Sequence, residues 1–327
     1  MFDFPISGFL QDDKDLAFQS PVWWANLGRM SMLLAKAVHP SGKPLVVFSL
    51  PRSGSSWIGE LLGSASNALY LREPLSRSHL VWGGNATVFD IDPASPPDVY
   101  ALFAARAFNG LPVFPRGVIR YLEQWSLQTR TQRRLVLKIV SPLALPWLLE
   151  AYHPRVIFLV RHPAAVACSY WELGWRNREE RLSQIGPRLM SGPLRPWQDT
   201  MSAASGFWHA HGVFQGAVLR VVMDSLAYYT DYKVVTYEES CLDPNGTFRD
   251  LFHFAELDFD EETEKRIAES SSSPSQGAED PYSTRKDSRA MQYAWKRRID
   301  VEQLAQLHSG FSPFKLPFYD SADDWTI

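Results

Sequence analysis

The feature that most constrains this sequence is an apolar run of strand length that leads directly into a turn rich in hydroxyl residues. Residues 45–50 read Leu-Val-Val-Phe-Ser-Leu, and residues 51–57 follow as Pro-Arg-Ser-Gly-Ser-Ser-Trp. Apolar residues then recur at helical spacing from Ile58. A strand, a tight turn and a helix in this order direct several backbone N–H groups at one point, which the helix dipole and Arg52 make attractive to an oxyanion. The stretch predicts a phosphate or sulfate site, and the alternative is an ordinary strand-to-helix connection with a serine N-cap.

Further apolar runs of strand length alternate with helical segments along the chain. These runs are residues 67–71, 134–140, 156–160 and 233–237. Such alternation predicts an α/β fold, with a parallel sheet covered by helices on both faces. Ligands bind such sheets beyond the carboxyl ends of the strands. Arg52 and Arg161 both follow a strand end, and their agreement strengthens the prediction of an anion site there.

Composition and charge limit the function classes. The chain has 327 residues, enough for one large α/β domain or two smaller ones. Its formal charge of −3 gives no whole-chain indication of nucleic acid or anionic membrane as a partner. Two cysteines, Cys168 and Cys241, are too few for a disulfide framework or a four-cysteine zinc site, although a single bridge stays open.

The N-terminal residues and the apolar runs bear on location. The first residues do not read as a signal peptide, and no uninterrupted apolar run approaches the length needed to span a bilayer. We therefore expect a cytoplasmic protein without a transmembrane segment. Residues 22–38 show the spacing of an amphipathic helix that packs on the domain ahead of the first core strand.

Three separated segments resemble one family, the sulfotransferases that use 3′-phosphoadenosine 5′-phosphosulfate (PAPS). Residues 51–57 resemble the family's 5′-phosphosulfate-binding loop. Residues 161–170 resemble its 3′-phosphate site, an Arg followed by Pro two positions later and Ser eight positions later. Residues 237–239, Tyr-Glu-Glu, resemble the Tyr-Glu-Asp segment that ends a later core strand. The resemblance covers most of residues 45–300, and it implies a P-loop-like sulfotransferase fold with helical insertions.

The resemblance also implies the co-substrate and the residues that bind it. PAPS is expected as sulfuryl donor and 3′-phosphoadenosine 5′-phosphate as product. The expected nucleotide-binding residues are Arg52, Ser53, Gly54, Ser55, Ser56, Trp57, Arg161, Ser169, Tyr237, Arg285 and Lys286. Each has a structural alternative: a helix-capping Arg161 with a buried Ser169, core aromatic roles for Trp57 and Tyr237, and a solvated basic face for Arg285 and Lys286.

The loop also separates this chain from P-loop kinases. A Walker A motif needs a lysine after its last glycine, whereas Ser55 follows Gly54 here, and no glycine opens the motif. A nucleotide-dependent kinase is therefore the disfavoured alternative enzyme, and a catalytically idle phosphoadenosine-binding protein is the alternative from another class. No metal-ligand cluster such as His-Glu-x-x-His is present, so we expect no metal.

The expected general base differs from that of the cytosolic small-molecule sulfotransferases. Cytosolic small-molecule sulfotransferases carry Lys-x-His on a core strand, but the matching residues here are Lys138, Ile139 and Val140, and valine cannot accept a proton. Residues 69–75 instead resemble the Arg-Glu-Pro-Leu segment of carbohydrate sulfotransferases, which makes Glu73 the expected general base. Arg52 and Lys138 are the other expected catalytic residues. The alternatives are a Glu73 paired with Arg72 or Arg77, and a structural Lys138.

The resemblance implies a single sulfotransferase domain over residues 1–327, with a helical N-terminal extension over residues 1–40. Insertions at residues 75–125 and 172–210 are expected on the acceptor side, or are decorative. The expected acceptor is a hydroxyl of a sugar, glycolipid or secondary metabolite. Tryptophans in and beside these insertions can stack on such an acceptor or belong to the core: Trp82, Trp125, Trp171, Trp175 and Trp208.

Overall fold

A five-stranded parallel sheet forms the centre of the molecule. The computed structural model describes residues 20–76, 90–177, 181–271 and 288–327. The strands are β1 (Ser41–Ser49), β2 (Ala68–Arg72), β3 (Arg134–Ile139), β4 (Arg155–Val160) and β5 (Tyr232–Thr236). Their order in the sheet is β2-β3-β1-β4-β5, and every neighbouring pair is parallel. The predicted parallel sheet is confirmed. The connection that follows β1 and the connection that follows the adjacent strand β4 run toward opposite edges of the sheet. Ligands of open α/β sheets bind at such a switch point.

Helices cover both faces of this sheet. The α-helices of the described residues are α1 (Arg29–Ala37), α2 (Ser55–Gly63), α3 (Asp98–Phe108), α4 (Leu145–Tyr152), α5 (Pro163–Glu172), α6 (Pro187–Ser191), α7 (Gln198–Ser202), α8 (Trp208–Leu226), α9 (Tyr237–Leu242), α10 (Pro244–Ala255), α11 (Glu261–Ser271), α12 (Ser288–Gln292) and α13 (Val301–Phe311). Side chains of α2, α10 and α11 form the core on one face, and side chains of α3, α4, α5, α8 and α13 form the core on the other.

The side chains of β1 show why its sequence is apolar without interruption. Leu45 and Val47 point into the core that includes α2, whereas Val46 and Phe48 point into the opposite core. All four side chains are fully buried. Because successive strand residues face opposite sides of the sheet, a strand covered on both faces has no polar positions to alternate with.

The N-terminal helix predicted over residues 22–38 is interrupted. A 3₁₀ turn spans Trp23–Asn26, and α1 begins only at Arg29. Gly28 between them adopts a φ of 56°, a conformation that ends the first turn and that glycine adopts at little cost. The segment packs on the domain as expected, since Trp24 and Ala35 belong to the core, whereas Trp23 and Met30 on its outer side are 70% and 52% exposed.

The insertion predicted over residues 172–210 is helical only in short pieces in its described part before α8, namely α6, a 3₁₀ turn at Arg195–Trp197, and α7. Among the helices of the described segments, none is both long and apolar enough to cross a membrane. Cys168 and Cys241 are both buried and neither forms a disulfide, so the structure does not contain the single bridge that the sequence left open.

Candidate functional site

The loop between β1 and α2 is built around two residues with left-handed backbone. Arg52 has a φ of 72° and Gly54 a φ of 92°, and the Ser53 N–H donates to the Leu50 carbonyl at 3.3 Å. Gly54 is the N-cap residue of α2, and no side chain caps the helix. The serine N-cap of the alternative reading is therefore absent. The first N–H groups of a helix have no acceptor within the helix, so those of Ser55 and Ser56 are suited to an anion at the strand end.

Gly54 also allows an aromatic ring to contact the loop. A Cβ atom at position 54 would overlap the ring of Tyr237, the first residue of α9. The Trp57 indole packs edge-on against Tyr237, with ring centroids 6.0 Å apart. Both aromatic side chains are buried. The glycine thus joins the loop after β1 to the segment after β5.

Gly54→Ala is expected to lower the free energy of unfolding by about 2–4 kcal/mol. The left-handed backbone costs an L-residue about 1–2 kcal/mol, and overpacking against Tyr237 adds a cost of similar size. Gly174→Ala is the matched control, because Gly174 has a φ of 73° and a Cβ there meets nothing within 4 Å. Urea unfolding of both variants checks the prediction, and equal losses would contradict the proposed role of the Tyr237 contact.

The two predicted arginines and Ser169 lie in one cluster. The Arg52 Nε donates to the Ser169 Oγ at 2.9 Å, and the Arg161 Nη1 donates to the Arg52 carbonyl at 3.2 Å. The Arg161 guanidinium also lies over the Tyr237 ring, 4.2 Å from its centroid. Residues from the ends of β1, β4 and β5 are thereby brought together at the carboxyl edge of the sheet.

The surroundings of Arg161 distinguish its two readings. The N-cap of α5 is His162, whose Nδ1 accepts the Ala164 N–H at 3.2 Å, so Arg161 is not the helix cap. The Arg161 Nε is buried and has no hydrogen-bond partner within the described part of the chain. A buried charged donor without a partner is costly, and an anionic ligand would satisfy it.

Glu73 and Lys138 form a second group beside the same loop. Glu73 follows β2 with a φ of 54°, and its N–H donates to the Lys138 carbonyl at 2.9 Å. Its carboxylate makes an ion pair with the Lys138 ammonium, which also donates to the Ser56 Oγ at 3.0 Å. The carboxylate therefore lies one side chain away from the first turn of α2. Its side chain is 24% exposed, whereas that of Lys138 is only 3% exposed.

The predicted pairing of Glu73 with Arg72 or Arg77 stays a prediction. The Arg72 guanidinium lies 4.0 Å from Glu60 of α2, and Arg77 lies outside the described residues. Burial lowers the pKa of Lys138, and the facing Glu73 carboxylate opposes that shift. The facing Lys138 ammonium compensates the negative charge that the Glu73 carboxylate carries in the form that accepts a proton.

A third group, formed by His162, Glu238 and Tyr319, lies beside Arg161 and is not predicted by the sequence patterns. Glu238 belongs to the Tyr-Glu-Glu segment of residues 237–239, and no sequence pattern singles out Tyr319. The Glu238 carboxylate accepts the His162 N–H at 3.2 Å and the Tyr319 hydroxyl at 2.5 Å. The position of Glu238 directly after a strand end was the available signal, whereas the contact with Tyr319 spans 81 positions and has no local pattern.

The remaining predicted residues are only partly placed. Arg285, Lys286 and Trp82 lie outside the described residues. Described residues on either side of the segment that contains Arg285 and Lys286 do contact the site. The Trp57 indole donates to the Ser270 Oγ at 2.9 Å, and the Arg161 Nη2 lies 3.5 Å from the Met291 carbonyl. Across residues 20–76, 90–177, 181–271 and 288–327, no group of three or more His, Cys, Asp or Glu side chains is arranged to hold a metal ion.

The tryptophans of the predicted acceptor side have different environments. Trp125 is buried, whereas Trp175 is 40% exposed. Trp171 stacks on Trp208 with centroids 5.5 Å apart, and the Arg176 guanidinium lies over the Trp171 ring. Aromatic side chains of α5 and α8 therefore form a cluster that begins directly after Ser169, and the contacts do not separate an acceptor wall from a core role.

Three solved sulfotransferase structures that resemble this chain are each less than 20% identical to it. A sulfotransferase domain from the curacin biosynthetic pathway is 16% identical, covering 87% of this chain and 95% of its own, with a TM-score of 0.46. A sulfotransferase domain from the Synechococcus PCC 7002 olefin synthase is 17% identical, with coverages of 85% and 97% and a TM-score of 0.44. Mouse sulfotransferase SULT7A1, complexed with PAP, is 14% identical, with coverages of 89% and 91% and a TM-score of 0.40.

A match to a family model shows which family the chain belongs to. No curated protein sequence matches this chain. The family model described as the sulfotransferase domain matches residues 43–313, which include most of β1, the loop, Glu73, Lys138, Arg161, Ser169 and Tyr237. Such a match over most of the chain supports a transferase enzyme that moves sulfuryl groups. The chain belongs to the sulfotransferase domain family.

Proposed function

We propose that this protein transfers the sulfuryl group of PAPS to a hydroxyl of a sugar, glycolipid or secondary metabolite. The observation that carries the proposal is the cluster in which Arg52 contacts Ser169 and Arg161 contacts the Arg52 carbonyl. This cluster joins the loop expected to bind the 5′-phosphosulfate to the turn expected to bind the 3′-phosphate. A site with cationic groups on two adjacent strand ends fits a nucleotide with two separate anionic groups.

The residues present fit such a nucleotide. Gly54 leaves room for the close approach of Tyr237, and the N-terminus of α2 has no side-chain cap that would compete with an anion. The Arg161 Nε is a buried donor that a 3′-phosphate would satisfy. In this proposal Arg52, Ser53, Gly54, Ser55 and Ser56 bind the 5′ end, while Trp57 and Tyr237 lie near the adenine. Arg285 and Lys286 remain proposed 3′-phosphate contacts that lie outside the described residues.

The chain's own residues supply acid–base and electrostatic catalysis. When bound, PAPS supplies the sulfuryl group and leaves as 3′-phosphoadenosine 5′-phosphate. Glu73 accepts the proton of the acceptor hydroxyl, whose oxygen forms the new bond to sulfur. Arg52 and the N–H groups of the loop stabilise negative charge on the sulfuryl and phosphate oxygens. Lys138 holds the Glu73 carboxylate beside Ser56 and is available to stabilise the leaving oxygen.

We further propose one sulfotransferase domain over residues 1–327, with the segments 75–125 and 172–210 on the acceptor side. In this proposal Trp208 and the exposed Trp175 of the second segment, together with Trp171 that stacks on Trp208 from just before it, provide an aromatic acceptor wall. The two buried cysteines, neither of which forms a disulfide, are consistent with the cytoplasm as the place of action.

Nucleotide titration tests the proposal against the kinase alternative. Calorimetric titration is expected to show tighter binding of 3′-phosphoadenosine 5′-phosphate than of ATP, and no requirement for Mg²⁺. The physical reason is that the loop has Ser55 where a Walker A motif has its lysine. Tighter binding of ATP that required Mg²⁺ would overturn the sulfotransferase proposal.

A further inference from the structure

A partly buried network connects the turn after β4 to the C-terminal residues. The N–H of His162 donates to one oxygen of the Glu238 carboxylate, and the Tyr319 hydroxyl donates to the other. The N–H of His162 belongs to the same peptide plane as the carbonyl of Arg161. The hydrogen bond to Glu238 therefore fixes the orientation of the peptide that follows Arg161, and with it the direction in which the Arg161 side chain leaves the strand end.

His162 is itself immobilised by three sets of contacts. Its ring stacks on Trp295, with centroids 4.3 Å apart and planes 6° apart. Its Nδ1 accepts the Ala164 N–H, so its Nε2 carries the proton and donates to the Asp324 carbonyl at 3.0 Å. Burial lowers the pKa of His162 to about 3, so the ring stays neutral and keeps both bonds at ordinary pH.

Tyr319 is held in an unfavourable backbone conformation to make this contact. Its φ is 55°, which is uncommon for an aromatic residue, and its carbonyl accepts the Trp325 indole N–H at 2.9 Å. Strained residues persist only where the surrounding structure determines them, and they concentrate at functional sites. Here the strain places a hydroxyl on the partly buried Glu238 carboxylate, which faces the Arg161 turn.

We propose that Glu238 and Tyr319 are positioning residues that orient Arg161 for the 3′-phosphate of the nucleotide. This inference rests on the proposed function, because it requires Arg161 to bind that phosphate. Among the described residues, the direct hydrogen bonds of the Arg161 side chain go only to backbone carbonyls of Arg52 and Met291. Two such bonds, one of them 3.5 Å long, and the stacking on Tyr237 leave the Nε of this guanidinium without a partner, so the direction of its donors also depends on the backbone that Glu238 fixes.

The test compares two nucleotides that differ only in the 3′-phosphate: 3′-phosphoadenosine 5′-phosphate and adenosine 5′-phosphate. Tyr319→Phe and Glu238→Gln are each expected to weaken binding of the first about tenfold, the usual effect of a lost hydrogen bond to a charged group. Binding of adenosine 5′-phosphate is expected to stay at the wild-type value. A merely structural role would instead lower both affinities together, or only the melting temperature.

Two control variants make the outcomes distinguishable. Tyr228→Phe removes a hydroxyl from a side chain that is 95% exposed, and it is expected to change neither affinity. Arg161→Ala is expected to abolish the preference for the 3′-phosphate, and if the preference survives, the proposed function fails. If Arg161→Ala abolishes the preference while Tyr319→Phe and Glu238→Gln retain it, the positioning inference is overturned and the proposed function stands. Should Glu238→Gln fail to fold, Tyr319→Phe alone decides.

Discussion

Glu73→Gln is expected to lower kcat by about 10²–10⁴-fold, the usual contribution of a positioned general base. The amide keeps the shape of the side chain and an oxygen that can accept from Lys138, but it cannot take the proton of the acceptor hydroxyl. Affinity for 3′-phosphoadenosine 5′-phosphate is expected to remain close to the wild-type value, because the Glu73–Lys138 ion pair lies beside α2, whereas the proposed 3′-phosphate site is built on Arg161 and Ser169. Steady-state kinetics with PAPS, together with calorimetric titration of the product nucleotide, measure both quantities.

Glu60→Gln is the matched control for this change. Glu60 is also a half-buried carboxylate near α2's surface, paired with Arg120 at 3.2 Å, but it lies on the second turn of the helix and away from the loop. Its kcat is expected to match the wild type. Unchanged turnover in Glu73→Gln would remove Glu73 from the role of base, and an equal loss in both variants would indicate a general effect of lost charge.

Arg52→Ala is expected to lower kcat by about 10²–10³-fold, similar to the loss of one preorganised donor at an oxyanion. The change removes the guanidinium nearest to the α2 N-terminus and also the Nε donor to Ser169. Arg52→Lys retains the positive charge and is expected to recover part of the rate. The recovery is incomplete because an ammonium lacks the planar, forked geometry that binds two oxygens at once.

Ser169→Ala separates the two effects of the Arg52 change. It removes the partner of the Arg52 Nε but leaves the guanidinium in place. We expect a smaller loss than for Arg52→Ala, confined mainly to binding of the nucleotide with a 3′-phosphate. A loss in Ser169→Ala as large as that in Arg52→Ala would mean that Arg52 acts through its contact with Ser169 and not on the reacting group.

The core of the fold was predictable from the sequence because β1 is buried on both faces. Its uninterrupted apolar residues, including Val46 and Val47, leave no other packing for a strand in an α/β chain. The order of the strands was less accessible, since parallel neighbours are set by crossovers and not by local pattern. The predicted N-terminal helix is longer than the observed one because the apolar spacing continues across Gly28. The backbone conformation of Gly28 interrupts the helix there.

The candidate site shows a similar division. The loop and the Arg161 turn were found because their residues lie next to strand ends in the sequence. The partner of Glu73 could not be predicted from local sequence, because it depends on the register of β2 with β3. That register places Arg72 opposite Lys138 and brings the buried ammonium next to Glu73. Tyr319 was missed for the same reason: its contact with Glu238 exists only after the C-terminal residues pack on α5 and α9.

Donor-dependent transfer is the measurement that tests the central claim most directly. The protein is incubated with a panel of hydroxylated sugars, glycolipids and secondary metabolites, once with PAPS and once with ATP and Mg²⁺, and products are followed by mass spectrometry. We expect an acceptor to gain one sulfuryl group with PAPS only, with an equal amount of 3′-phosphoadenosine 5′-phosphate released. Group transfer from ATP, or PAPS that is bound yet recovered intact with every acceptor, would contradict the assignment of this chain as a PAPS-dependent sulfotransferase.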